Sequence, residues 1–129
     1  MNTEKIFKNI LILDFLIMSF GIVYVSLGIS WDAVEEPNSN LYSDLIGFIA
    51  LILIIVYYVN LLLLYKFKPI ARPLYFVITV LSILMNFFMS VEDLTLNQLE
   101  ASIDEVSTIL SGVILALIYF SDIKEKFKN

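Results

Sequence analysis

Four long apolar stretches dominate this chain, and their length decides what it can fold into. They cover about residues 10–30, 45–65, 73–90 and 96–121. A helix needs about 20 mostly apolar residues to cross the hydrocarbon core of a bilayer. Hydrophobic residues make up 60% of the chain, whereas a soluble domain has about 45–50%. The sequence therefore predicts an all-α integral membrane protein, a single domain over residues 1–129 with four transmembrane helices. A cleaved signal peptide is the competing interpretation of the first stretch, but its apolar part is long for one.

The basic residues fix the predicted orientation. All eight lie in the N-terminal segment, the turn between the second and third stretches, or the C-terminal tail. They are Lys5, Lys8, Lys66, Lys68, Arg72, Lys124, Lys126 and Lys128. The other two loops carry acidic residues and no basic ones. The positive-inside rule then places both termini in the cytoplasm and predicts an antiparallel up-down bundle in the plasma (inner) membrane. The excess of lysine over arginine suggests a bacterial source.

The fourth helix is predicted to begin outside the bilayer. Its apolar residues recur at alternating steps of three and four, a heptad pattern typical of helix packing. They are Leu96, Leu99, Ile103, Val106, Leu110, Val113, Leu117 and Phe120. The first of them lie in the polar loop, so we expect about two turns of helix before the membrane.

Asp14 is a candidate intramembrane acid, one turn into the first span. Gly21 and Gly28 follow at seven-residue steps, so the three share a helix face. An intramembrane carboxylate normally faces protein or water, and small residues let a neighbouring helix approach. The face should therefore point into the bundle or an oligomer interface. Three interpretations of Asp14 stay open: a structural ion pair, a protonatable transport residue, or a neutral hydrogen-bonded acid. The candidate ion-pair partners are Lys8, Lys66 and Arg72.

Polar stripes on the third and fourth helices suggest a crevice open to the outside. The residues that would line it are Thr79, Ser82, Asn86, Glu100, Asp104, Ser107, Thr108 and Ser111. Leu115 and Ile118 would close its inner half. The alternative is interhelical hydrogen bonding with close packing, for which the small-residue pattern Thr108-xxx-Gly112-xxx-Ala116 is suited. Asn60, in the second span, is expected to donate a hydrogen bond to another helix.

No residue pattern indicates an enzyme. The chain has no histidine and no cysteine, which removes the usual general base and the thiolate ligands. No metal, phosphate-loop or nucleophile–base motif is present, so we expect no cofactor, no nucleic-acid partner and no catalytic activity. We expect an oligomeric or partner-binding membrane module whose partners are lipid and itself or another membrane protein. The alternative is a cation-preferring pore, small transporter or membrane-perturbing effector with an acidic external mouth; the sequence identifies no small-molecule ligand.

Overall fold

The computed structural model describes residues 3–26, 41–89 and 98–128, and the regular elements among these are all helical. They are α1 (Thr3–Ser26), α2 (Leu41–Tyr65), α3 (Ala71–Met89), α4 (Gln98–Phe120) and a C-terminal 3₁₀ helix (Asp122–Phe127). Side chains are described over 3–24, 45, 47–84 and 102–128. The two acidic loops and Gly28 lie outside these ranges.

Three of the helices are long and apolar enough to cross a membrane. Their apolar segments are Thr3–Tyr24, Gly47–Tyr65 and Ser102–Phe120, and the apolar helix Ala71–Leu84 is shorter. The chain is thus all-helical over its described part and has membrane-length apolar helices, as predicted.

Three helices begin earlier than the apolar stretches. α1 starts at Thr3 rather than near residue 10, α2 at Leu41 rather than 45, and α3 at Ala71 rather than 73. An apolar stretch marks only the part of a helix that is suited to lipid. The helix itself can extend beyond it through polar residues that are compatible with helical structure. In α1 the first turns are supported by the ion pair of Lys8 Nζ with Glu4 Oε1, 2.8 Å apart and four residues apart in sequence.

The predicted turn is built by a Schellman motif at the end of α2. The Lys68 N–H donates to Leu63 O and the Phe67 N–H to Leu64 O, at 2.9 and 3.0 Å. Phe67 takes the left-handed position of this motif, with φ of 54°, where glycine is usual. Pro69 follows and prevents the helix from continuing.

Contacts between neighbouring helices show that they run antiparallel. α1 meets α4 through Gly21 and Ile103 near one end and through Glu4 and Lys126 at the other. α2 and α3 are joined by the turn. The chain termini and the turn therefore meet at one end of the molecule, which we call the basic end because it carries all eight Lys and Arg residues.

The buried core lies towards the basic end. Its members are Phe7, Leu11, Tyr57, Leu61, Leu64, Ala71, Tyr75, Ile78, Ile114, Ile118, Ile123 and Phe127. Towards the other end large apolar side chains are exposed, among them Phe48, Leu51 and Ile83. Such surface is compatible with lipid contact.

The buried face of α4 differs from the predicted heptad seam. Ile114 and Ile118 are fully buried, whereas the seam residues Val113 and Phe120 are 39% and 88% exposed. An apolar seam needs no protein cover in lipid, because lipid is as apolar as leucine. The neighbouring face, which carries Ser107 and Ser111 higher up the helix, is turned inward instead.

Candidate functional site: a buried polar cluster

Asp14 lies at the centre of the polar groups buried among the helices. Its side chain is fully buried. The Tyr57 hydroxyl, on α2, donates a hydrogen bond to Asp14 Oδ2. The other carboxyl oxygen, Oδ1, is buried and has no hydrogen-bond partner among the described residues. The carboxyl group is therefore only half satisfied.

The predicted ion pair of Asp14 is not formed. Lys8 pairs with Glu4 and lies 5.2 Å from the ring centroids of both Tyr65 and Phe67. No ion pair among the described residues includes Asp14. The lysine stays at the basic end because its ammonium finds a carboxylate and two aromatic rings there.

Arg72 is likewise engaged elsewhere. Its guanidinium carbon lies 4.9 Å from the ring centroid of Tyr119 and 5.9 Å from that of Phe127. Stacking on aromatic rings is a favoured environment for guanidinium. Lys66, the third candidate partner, is exposed.

Tyr75 extends the cluster to α3 and α4. It is fully buried, and its ring centroid lies 6.3 Å from that of Tyr57. Its hydroxyl lies beside Ser111 and Tyr57 and interacts electrostatically with Asp14. No hydrogen bond of acceptable geometry reaches the Tyr75 hydroxyl within the described part of the chain. Asp14, Tyr57, Tyr75 and Ser111 thus bring one polar group from each of the four helices, and we call them the Asp14 cluster.

Asn60 confirms the prediction of a cross-helix hydrogen bond. With the amide oriented to match donors with acceptors, its nitrogen donates to Ala71 O and its oxygen accepts from the Tyr75 N–H, both at 3.1 Å. These two backbone groups belong to the first turn of α3 and lie four residues apart. The Asn60 side chain therefore fastens α2 to the start of α3 and holds Tyr75 in place.

The residues of the predicted crevice are found in several different surroundings. Ser107 on α4 donates to Met18 Sδ on α1 at 3.4 Å, and Thr79 donates to the Tyr75 carbonyl of its own helix at 2.9 Å. Ser111 lies beside Tyr75. Three other members are exposed: Ser82, Asp104 and Thr108. The side chains of Asn86 and Glu100 lie outside the described residues.

Two open grooves are found between described helices, and none of the predicted crevice residues lines either. The larger, about 320 Å³, lies between α1 and α4 and is lined by Leu16, Ile17, Phe20, Ser102, Ile103 and Val106. The smaller, about 110 Å³, lies between α1 and α2. Leu115 is half-buried and Ile118 is fully buried at the level where the crevice was expected to close.

Sequence reasoning missed the C-terminal 3₁₀ helix as a packed element. Ser121 caps it by accepting from the Ile123 N–H at 3.2 Å, and Ile123 and Phe127 are each 2% exposed. The Phe127 ring lies 6.2 Å from Phe7 and 5.4 Å from Phe67 between centroids. The signal was present as two apolar residues four apart among the tail lysines.

Comparisons with protein-family models, with curated proteins and with solved structures find no match to this chain.

Proposed function

We propose that this protein is a four-span module of a bacterial plasma membrane, with both termini cytoplasmic, that associates with a second copy of itself and catalyses no reaction. Support for the orientation comes from the gathering of every Lys and Arg at the basic end. Support for four spans comes from the antiparallel contacts, since α3 packs between membrane-length helices although its described apolar run is shorter.

One observation carries the self-association: the small-residue stripe of α4 faces outward. Thr108, Gly112 and Ala116 are all exposed. A Cβ atom built on Gly112 meets nothing within 4 Å. At Gly21, by contrast, a Cβ atom would lie 3.2 Å from Ile103 Cγ2. The protein thus uses one glycine for close approach of its own helices and leaves another uncovered.

The polar member of this stripe favours a protein partner over lipid. Thr108 is exposed on α4, and polar groups facing hydrocarbon are unfavourable. A second copy would present the same small and polar residues, so an isologous contact would bury both stripes with hydroxyls opposite hydroxyls.

Two glycine variants test this proposal with matched chemistry. Gly112→Leu should abolish energy transfer between donor- and acceptor-labelled copies mixed in liposomes, and should reduce the mass measured in mild detergent to that of one chain. Gly47→Leu is the control, because Gly47 also lies on a membrane helix and also has nothing within 4 Å of its Cβ position. Equal loss of energy transfer in both variants, or no loss in Gly112→Leu, would contradict the proposal.

Impermeant thiol labelling tests the orientation, and the native absence of cysteine makes the background clean. Lys68→Cys, at the basic end, should stay unlabelled in sealed cells and react after lysis. Ser39→Cys, in the first acidic loop outside the described residues, should react from outside. Labelling of position 68 in sealed cells would overturn the orientation.

The second candidate function is a cation-preferring pore formed at the axis of an oligomer. The exposure of Asp104 and Thr108 favours it, because these residues would line such an axis. Potassium or sodium flux into liposomes that is lost in Asp104→Asn, with the oligomer mass unchanged, would support the pore. If liposomes that contain the oligomer show no flux, the pore is contradicted and only the self-associating module remains.

A further inference from the structure

The Asp14 cluster is an enclosed polar site in the membrane-embedded core. Asp14 and Tyr75 are fully buried and Tyr57 is 9% exposed. The neighbouring core residues Leu11, Ile78 and Ile114 are apolar and buried as well. Groups enclosed in this way have no access to bulk water, so each must find its partners inside the site.

The site is incomplete with the protein groups alone. Tyr57 satisfies Asp14 Oδ2, but Asp14 Oδ1 and the Tyr75 hydroxyl are both buried without a hydrogen bond among the described residues. Asn60 does not complete it, since its amide is occupied by the backbone of α3. Two oxygen atoms of the same cluster are thus left open.

The charge of the site is also uncompensated. The titratable groups that face Asp14 are the hydroxyls of Tyr57 from α2 and Tyr75 from α3. α4 contributes the hydroxyl of Ser111, which lies beside Tyr75. Of the two charged groups that were candidate partners nearest the cluster, Lys8 pairs with Glu4 and Arg72 stacks on Tyr119, although Arg72 Nε is buried without a hydrogen bond among the described residues. Glu4 also accepts from Lys126 of the C-terminal helix, 3.3 Å away. A buried carboxylate without a paired positive charge is strongly unfavourable.

We propose that Asp14 Oδ1, Tyr75 Oη and Ser111 Oγ form a binding site for one monovalent cation. The ligand supplies the single positive charge that Asp14 lacks and engages the two open oxygen atoms. The same chemistry is available from a proton on Oδ1, which then donates within the cluster, or from Na⁺ held by the oxygens. This site is separate from the outward stripe of α4, so the proposal does not depend on self-association.

Thermal unfolding of the purified full chain in detergent tests the site, because a ligand bound only by the folded state raises the unfolding midpoint. One series varies NaCl against choline chloride at fixed alkaline pH. The other varies pH in choline chloride without sodium. We expect the wild-type midpoint to rise with Na⁺ in the first series or with falling pH in the second, and the responding series identifies the cation. In Asp14→Asn, which keeps the shape and removes the charge, this response should be lost in both series.

Two tyrosine variants separate binding from folding. Tyr75→Phe removes one of the two open oxygen atoms. In the series that responds, the cation concentration needed for half of the rise in unfolding midpoint should increase roughly tenfold, the loss of affinity expected for one hydrogen-bonding group. Tyr58→Phe is the control, because its hydroxyl lies 3.1 Å from Ser19 Oγ outside the cluster, and its response should equal the wild type.

Parallel curves for wild type and Asp14→Asn in both series overturn the proposal. If Asp14→Asn does not fold, an unshifted response in a folded Tyr75→Phe overturns it as well. Gly112→Leu should bind the cation as the wild type does, so failure of the self-association proposal and failure of this one are distinguishable.

Discussion

Phe67 offers a prediction in which the usual order of two substitutions is reversed. It occupies the left-handed C′ position after α2 with φ of 54°. A residue with a Cβ atom costs about 1–2 kcal/mol in that conformation, whereas glycine adopts it freely. Phe67→Ala should therefore be less stable than Phe67→Gly, although glycine normally destabilises relative to alanine.

The size of each effect follows from the packing of the ring. The Phe67 ring lies 5.8 Å from Phe7 and 5.4 Å from Phe127 between centroids, and it is half-buried against the core. Truncating a buried phenylalanine costs about 3–5 kcal/mol, so partial burial puts Phe67→Ala near 3 kcal/mol. Phe67→Gly recovers about 1 kcal/mol of backbone strain and should cost near 2 kcal/mol.

Phe7 provides the matched control, because it belongs to the same aromatic cluster but lies in the regular helix α1. There glycine should be about 1 kcal/mol worse than alanine. Unfolding of the four variants in mixed detergent micelles, followed by circular dichroism, gives the comparison. If Phe67→Gly is less stable than Phe67→Ala by the margin found at Phe7, the left-handed turn does not shape this end of the protein.

Three further predictions concern α1, α2 and the tail. Gly21→Ala should change stability by less than about 1 kcal/mol, because the Ile103 side chain, 3.2 Å from the new Cβ position, can shift slightly, whereas Gly21→Leu should cost about 1–3 kcal/mol by overpacking. Both are measured by unfolding in detergent, with Gly47→Leu as the control. Equal effects of leucine at positions 21 and 47 would argue against close packing of α1 on α4. Asn60→Ala should cost about 1–3 kcal/mol and speed hydrogen exchange at the Tyr75 amide, which Asn60 binds at 3.1 Å; unchanged exchange would disprove the bridge. The Lys128 ammonium, 2.6 Å from Glu125 Oε2, holds the pKa of Glu125 below its ordinary value. The contribution of this ion pair to the free energy of unfolding is therefore present above the ordinary glutamate pKa and is lost as pH falls through the lowered pKa. Glu125→Gln should remove this small dependence of stability on acid pH, and an unaltered dependence in an acid titration of unfolding would contradict the pairing.

The sequence predicts the helices and the grouping of the basic residues well, because both depend on properties that do not need tertiary detail. Apolar length alone indicates a membrane helix. The prediction that Asp14 and Gly21 share an inward face also agrees with the structure, since Asp14 is buried and Gly21 contacts α4. Seven-residue spacing holds a face over two turns whatever the neighbours are.

The partner of Asp14 could not be predicted, for a physical reason that lies in α2. That helix is apolar around most of its circumference, so no periodicity shows which side faces the protein. Tyr57 and Tyr58 are adjacent, about 100° apart on the helix, yet one donates to Asp14 and the other lies by Ser19. The rotation of α2 about its own axis decides which of the two tyrosines reaches Asp14, and the sequence does not reveal that rotation. The basic residues of the turn and the N-terminal segment are therefore the partners that the sequence predicts.

The self-association proposed above would explain the width of the polar stripe on α4 as two contacts side by side. Ser107 and Thr108 are also consecutive and therefore about 100° apart. Ser107 bonds to Met18 of α1, while Thr108 is exposed beside the open Gly112. A single helix–helix contact does not need so broad a polar surface, whereas a helix that packs on its own chain on one side and on a second copy on the other does. The same width also accounts for the difference between the predicted crevice and the structure, because residues that seemed to line one cavity are divided between two faces of α4.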